Sequence, residues 1–211
     1  MNLFTELHPP CSDLDSTPFR AANHVTTLSH KIQLHPTASQ VRSLSRAVGC
    51  ARFAWNWGLA EWKRQYEASK ADTSIPKPSI VLVKSKWSQV KHVEFPWLAE
   101  SPANANLQPF VHLERAFKGF FTKKSRYPRF KKKGQHDSFY VDNQKMKLDA
   151  RRVHLPKIGK VKLTETLRFS GKVLRGTVSR EADRWFLSVS VELREQGALR
   201  PRTGDGIAGV D

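Results

Sequence analysis

Acidic residues are the scarce class in this 211-residue sequence, with 19 Asp and Glu against 36 Lys and Arg. A formal charge of +17 and an isoelectric point near 10.2 exclude an ordinary near-neutral surface and imply a polyanionic partner. Cysteine is almost absent. Cys11 and Cys50 have no CxxC or HxxxH beside them, so neither a disulfide framework nor a zinc site is supported, and both thiols read as reduced structural groups. No run approaches the roughly 20 apolar residues that span a bilayer. The opening MNLFTELHPPCSDLDS carries acids and no basic leader, so it is not expected to be a secretory signal. A basic chain can also coat an anionic membrane, but that calls for a long helix with separate basic and apolar faces. Here the cations are spread over strands, turns and aromatic-rich stretches, so the expected compartment is the cytoplasm and no membrane partner is expected.

Residues 1–24 hold prolines, serines and mixed charge without periodicity and read as a flexible lead-in. From Leu28 the pattern alternates, with Leu28, His30, Ile32 and Leu34 on one face and Ser29, Lys31 and Gln33 on the other, the period of a half-buried strand. Thr37 followed by Gln40 is a capping-box signature. It opens an apolar series at Val41, Leu44, Val48, Ala51, Trp55, Leu59, Trp62 and Tyr66, which predicts one long amphipathic helix or two helices meeting near Gly49. The tryptophans of this stripe read as core. SIPKP at 74–78 breaks the chain, IVLVKSKWSQV suits a short helix, and a last helix is expected over Leu107 to Phe121 with Pro109 in its first turn. After about residue 137 short strand-like runs, split by Gly, Pro and Asp, suggest a small antiparallel barrel that residues 25–34 could join, making the helices an insertion.

The densest chemistry lies in RAFKGFFTKKSRYPRFKKK, Arg115 to Lys133, with nine basic residues, no acidic ones and five aromatics. Lys and Arg neutralise phosphates while exposed rings stack on unpaired bases, so this mixture suits single-stranded or structured nucleic acid. The candidate contacts are Lys118, Lys123, Lys124, Arg126, Arg129, Lys131, Lys132 and Lys133, with Tyr127 and Phe130 as stackers. Phe117, Phe120 and Phe121 can instead pack the helix against its neighbours. A second basic group holds Arg151, Arg152, Lys157, Lys160 and Lys162, each also explicable as a solvated charge. Charge by itself does not choose RNA over DNA.

Read in order, KIQLHPTASQ, GCARFAWNWGL, LERAFKGFFTKK, YPRFKKKG, LPKIGKVKL, GKVLRGTVSREADRWFLSVSVE and GIAGVD resemble the amino-terminal half of TnpB proteins over roughly residues 27–211. These are the OrfB-type transposases of insertion sequences, compact RNA-guided DNA nucleases related to type V CRISPR effectors. The resemblance implies an α+β chain: a wedge-like antiparallel β-barrel interrupted by a helical recognition insertion, then the first strand of an incomplete RNase H-like RuvC domain. On that pattern residues 25–35 form the first barrel strand, 36–136 the helical insertion, 137–204 the rest of the barrel and 205–211 the start of the nuclease domain.

The implied partners are a guide RNA and DNA, with sequence read by base pairing. Arg52 and Asn56 within ARFAWNW match family positions, and either nucleic-acid contact or helix packing and capping would explain them. Residues 37–66 are described in the family as a helix-turn-helix. Asp211 matches the first metal-binding acid of the RuvC site, which in the complete enzyme holds Mg²⁺ ions between several carboxylates. The other acids of that pattern are not in this sequence, and Asp183 and Asp205 do not match them. The chain alone is therefore expected to hold no metal and to cut no DNA, unless a separate carboxy-terminal nuclease chain completes the site. Other readings left open are a duplex-binding repressor and a general RNA-binding protein.

Overall fold

The computed structural model describes residues 26–193, so the expectations for residues 1–24, for residues 205–211 and for Asp211 lie outside the described residues. Strand β1, Thr27–His35, alternates as the sequence predicts: His30, Ile32 and Leu34 are buried, and Ser29 and Lys31 are exposed. Helix α1 follows, Ala38–Ala71, and Thr37 closes the predicted capping box. Its hydroxyl accepts the Gln40 N–H at 3.4 Å and its own N–H donates to Gln40 Oε1 at 3.0 Å. Of the two alternatives for this stretch the fold takes the single helix. A Cβ at Gly49 would come no nearer than 4.0 Å to another group, so this glycine neither needs nor makes a break.

Helix α2, Ile80–Val90, begins where the Ser79 hydroxyl accepts the Leu82 N–H. A short 3₁₀ turn, Pro96–Glu100, precedes α3, Ala103–Phe121. The last helix thus starts four residues before the predicted Leu107, and Pro109 lies in its second turn rather than its first. A proline there removes one helical hydrogen bond and costs about 3 kcal/mol in isolation. Burial of Ala105, Asn106, Pro109 and Phe110 offsets that cost, a tertiary effect that local propensity does not contain.

The three helices share one aromatic core. Trp87 of α2 sits among Phe53 and Trp57 of α1, Phe95 and Phe110, with ring centroids 4.9 to 6.2 Å apart. Trp62 stacks on Phe117 at 3.9 Å. Helices α1 and α3 approach closely at Gly58, where an added Cβ would lie 2.9 Å from Phe110 and 3.1 Å from Leu113.

Strands β2 (Ser138–Asp142), β3 (Lys147–Asp149), β4 (Arg152–Leu155), β5 (Gly159–Leu163), β6 (Gly171–Glu181) and β7 (Arg184–Leu193) complete an antiparallel sheet with β1. Its order is β2-β6-β7-β1-β5-β4-β3. Strand β1 pairs with β7 from Thr27 opposite Glu192 to Leu34 opposite Trp185, and with β5 at Leu34 and His35, so the helices are an insertion between β1 and β2. The two edge strands are neighbours in sequence, joined through a 3₁₀ turn at Asn143–Lys145, so the sheet curls back on itself. No ladder joins β2 to β3 among the described strands, and the architecture is a half-barrel where a small barrel was expected. Met146 helps fill the seam, its sulfur lying where a Cβ on Gly176 would need to be. The inner face carries Ile32, Leu34, Val153, Val161, Leu163, Val178, Leu187, Val189 and Val191, the alternate residues that strand periodicity marks.

Candidate nucleic-acid interface

The basic segment after α3 has no regular structure from Ser125 to Lys132, yet its path is fixed by one face of α1. The Trp55 indole N–H donates to the Arg129 carbonyl at 2.9 Å. Asn56 donates from Nδ2 to the Lys131 carbonyl at 3.0 Å and accepts the Lys131 N–H on Oδ1 at 2.8 Å, so one side chain satisfies both backbone groups as a neighbouring strand would. Arg52, one turn before Asn56, pairs with Asp137 at 2.9 Å, and the other carboxylate oxygen of Asp137 receives the Gly134 N–H. Gly134 has φ +81°, the left-handed conformation that glycine adopts without strain. Two turns after Asn56, the Lys63 ammonium lies 5.0 Å from the Phe130 ring centroid and 5.8 Å from that of Tyr127. Residues 52, 56 and 63 share a helix face by their spacing.

Arg52 and Asn56, offered by the sequence either to nucleic acid or to packing, are thus engaged within the chain. Lys131 also differs from its neighbours. It is half-buried, its ammonium stands 4.5 Å over the Trp55 ring, and burial lowers its basicity below that of an ordinary lysine. The remaining eight cations of Arg115 to Lys133 are exposed, and among the described residues none forms an ion pair. Elsewhere some cations are matched with acids, among them Arg46 with Glu100, Arg64 with Glu61, Lys84 with Glu114, Arg168 with Glu165 and Arg180 with Asp183, while others, including those of β4 and β5, have no ion pair among the described residues either.

The rings divide. Phe117 is core, stacked on Trp62, and Phe120 is half-buried. Phe121 is 65% exposed and Phe130 49%, while Tyr127 meets Phe117 and Phe120 edge-on and is held up by them. Lys63 escapes sequence inspection as a candidate because it lies far from the basic run; its spacing from Asn56 on α1 was the available signal.

The second basic group is organised by strand register. Asp149, Arg152 and Lys162 face one another across β3, β4 and β5, and so do Lys147, His154 and Lys160. Five of these residues line a shallow groove of about 410 Å³. Arg151 and Lys157 lie in turns at the ends of β4, both exposed. This group has no aromatic ring in its groove and shares no described contact with the first.

Among the described residues no three His, Cys, Asp or Glu side chains converge as metal ligands, and Glu61, Glu100, Glu114, Asp137, Glu165 and Asp183 are committed to the ion pairs above. These described residues therefore do not fit a Mg²⁺ pair.

The sheet with its inserted helices and the extended basic segment define the class: an α+β scaffold presenting unpaired cations. Comparison with known proteins gives the kinship. Residues 26–71 match the helix-turn-helix domain of the OrfB and IS605 type. The chain is 33% identical over 172 residues, 81% of its length and 42% of the relative's, to "Putative RNA-guided DNA endonuclease InsQ" of Escherichia coli K12. It is 30% identical over 176 residues (77% and 40%) to a relative of the same designation from Streptomyces pristinaespiralis. A third, Rv2885c of Mycobacterium tuberculosis, is 28% identical over 208 residues, 86% of this chain and 45% of its own. Domain match and relatives together show the chain's similarity to TnpB/OrfB-type proteins over most of its length. It spans less than half the length of these curated relatives. In the structure the residues matched as a helix-turn-helix form β1 and one unbroken helix. Among the described residues no helix is long and apolar enough to cross a membrane.

Proposed function

We propose that this chain is the nucleic-acid-binding part of a TnpB-type RNA-guided DNA nuclease, holding guide RNA and, through it, target DNA. The observation that carries this reading is the segment Arg115 to Lys133: eight exposed cations without ion-pair partners among the described residues, interleaved with the exposed rings of Phe121, Tyr127 and Phe130. Unpaired like charges repel one another until a polyanion neutralises them. The backbone clamp from Trp55 and Asn56 fixes their spacing before any partner arrives, which reduces the ordering cost of binding. The relatives' designation as RNA-guided DNA endonucleases supports RNA over a generic polyanion. A repressor reading duplex DNA by helix-turn-helix needs a second helix set across a turn, and the single helix α1 gives it no support.

The test is to purify the chain from its host at two salt concentrations and sequence the RNA that accompanies it. One dominant RNA from the end of a mobile element, retained at the higher salt, is the expected result. A random mixture lost at moderate salt would overturn the guide-binding reading. DNA cleavage belongs to carboxylates that the described residues do not assemble, so a separate nuclease chain and Mg²⁺ enter the proposal only as partners of the whole enzyme.

A further inference from the structure

Helix α3 ends in a turn that folds the basic segment back over the helix's own last rings. Lys123 takes a left-handed conformation, φ +59°, and its N–H donates to the Phe120 carbonyl at 2.9 Å. The Lys124 N–H donates to the Gly119 carbonyl at 2.8 Å, which completes the paired bonds of a Schellman motif. The reversal returns Tyr127 to the helix end, where it meets Phe117 edge-on at 5.7 Å and Phe120 at 5.2 Å. In the same cluster Trp62 of α1 stacks on Phe117 at 3.9 Å with planes 19° apart, and Phe117 lies 6.1 Å from Phe121 with planes 21° apart. A column of three rings thus runs from the buried Trp62 out to Phe121, the most exposed ring of the segment. Beside it the exposed rings of Tyr127 and Phe130 share the ammonium of Lys63, which has no ion-pair partner among the described residues.

Exposed rings gathered on one surface mark a binding site, and two features decide what covers them. Cations without a single acid in Arg115 to Lys133 call for a polyanion. The rings call for flat apolar surfaces set next to those charges. A nucleic-acid strand with unpaired bases supplies both, one phosphate and one π-face in every nucleotide. A duplex offers only its phosphates, because each base is already stacked on both sides. An acidic protein face offers charge without a flat ring beside each one.

We propose that Phe121, Tyr127 and Phe130, with the Lys63 ammonium beside the last two, form a stacking platform for unpaired bases, so that this surface selects single strands, loops and ends over duplex. The platform rests on the nucleic-acid reading above and narrows its ligand to unpaired strands. A base laid on Phe121 becomes the next layer of the column over Phe117 and Trp62. Lys63 neutralises a phosphate next to a base on Phe130. Every base has a π-face, so the platform holds a strand without reading its sequence.

The experiment titrates a labelled single-stranded RNA of about 20 nucleotides, longer than a typical single-strand site, and a blunt RNA duplex of the same length into the chain over a salt series. A Phe121→Leu/Phe130→Leu variant and a Phe121→Trp variant are titrated alongside. Leucine keeps both exposed positions apolar and removes the π-face, and tryptophan restores one. The expected result for the double variant is a loss of single-strand affinity of at least about tenfold, with the salt slope and the duplex affinity unchanged because no cation is removed. Phe121→Trp should bind the single strand at least as tightly as the unaltered chain. In the unaltered chain, photo-crosslinks from an iodouracil-substituted strand should map to Phe121, Tyr127 or Phe130. If the double variant binds single strand with unchanged affinity, or loses single strand and duplex in equal measure, the platform is overturned while the nucleic-acid reading stands. If neither RNA binds the unaltered chain, the nucleic-acid reading falls and the platform falls with it. The crosslinks need no variant, so misfolding of the double substitution leaves the test decisive: links confined to other residues overturn the platform.

Discussion

The two basic surfaces differ in how they are built. In β3 to β5 the cations alternate along paired strands, Asp149 stands in the same row as Arg152 and Lys162, and no ring lines the groove. In the segment Arg115 to Lys133 there is no acid, the rings of Phe121, Tyr127 and Phe130 are exposed, and the backbone is clamped by a helix more than 70 residues earlier in the chain. A sheet disposes charges by its own periodicity and needs no further support. An irregular segment holds charges in fixed places only if something else satisfies its backbone, and here Trp55 and Asn56 do so. The first surface spreads its charge by strand register, and the second holds it on a backbone fixed from outside.

Neutralising charge is the most direct way to break this comparison. Replacing Lys123, Lys124, Lys132 and Lys133 together by Gln should lower affinity for single-stranded RNA at least tenfold and flatten the salt slope by about three, at roughly 0.7 per phosphate contact. The matching change of Arg152, Lys157 and Lys160 to Gln should have the smaller effect. Equal losses from the two sets, measured by fluorescence anisotropy over a salt series, would erase the distinction.

The clamp itself can be tested through its foundation. Gly58→Ala drives a methyl group into Phe110 and Leu113, and overpacking of this kind costs about 1–3 kcal/mol. Thermal unfolding should show a lowered midpoint. Asn56→Ala leaves the Lys131 N–H and carbonyl without their partner, at about 1–3 kcal/mol if they are not rehydrated. It should also weaken RNA binding although it removes no cation. Unchanged RNA affinity in a folded Asn56→Ala protein would mean that the segment needs no preset shape.

Smaller effects separate the helical support from the sheet. Hydrogen bonds from Arg64 first and Gln65 next outweigh burial and hold the Glu61 carboxyl below the usual carboxylate range. Its stabilising contribution is therefore present above the ordinary glutamate range, near pH 4.5, and is lost as pH falls through the folded value. The exposed Arg64 limits it to under about 1 kcal/mol. Denaturant midpoints from pH 6 to 3 should fall less steeply in Glu61→Gln. Gly49→Ala, with open space at its Cβ, should stabilise α1 by up to about 1 kcal/mol. A destabilised Gly49→Ala would show that a break near Gly49 matters after all.

Much of the scaffold was legible because its signals are local. The alternation of β1 and β7, the Thr37–Gln40 box and the basic aromatic run each lie within a single short stretch of fewer than about twenty residues. What escaped was non-local. Whether Gly49 breaks the helix depends on what packs around it, and the cost of Pro109 in α3 is met by burial that no window of sequence contains. Lys131 looks identical to Lys132 and Lys133 in the chain, yet only Lys131 lies over Trp55. Lys63 carries no motif and became a candidate only when α1 met the basic segment.

The sequence by itself determined the sign and density of charge, the periods of strand and helix, and the kinship with TnpB-type proteins, because composition, local hydrogen bonding and residue order are properties of the chain alone. Only the tertiary structure decided which cations stay free, which rings stay exposed and which backbone is clamped. Those outcomes depend on burial and on partners 75 and more positions apart in the chain, and the free energy of such pairings is settled only when the helices close on the sheet.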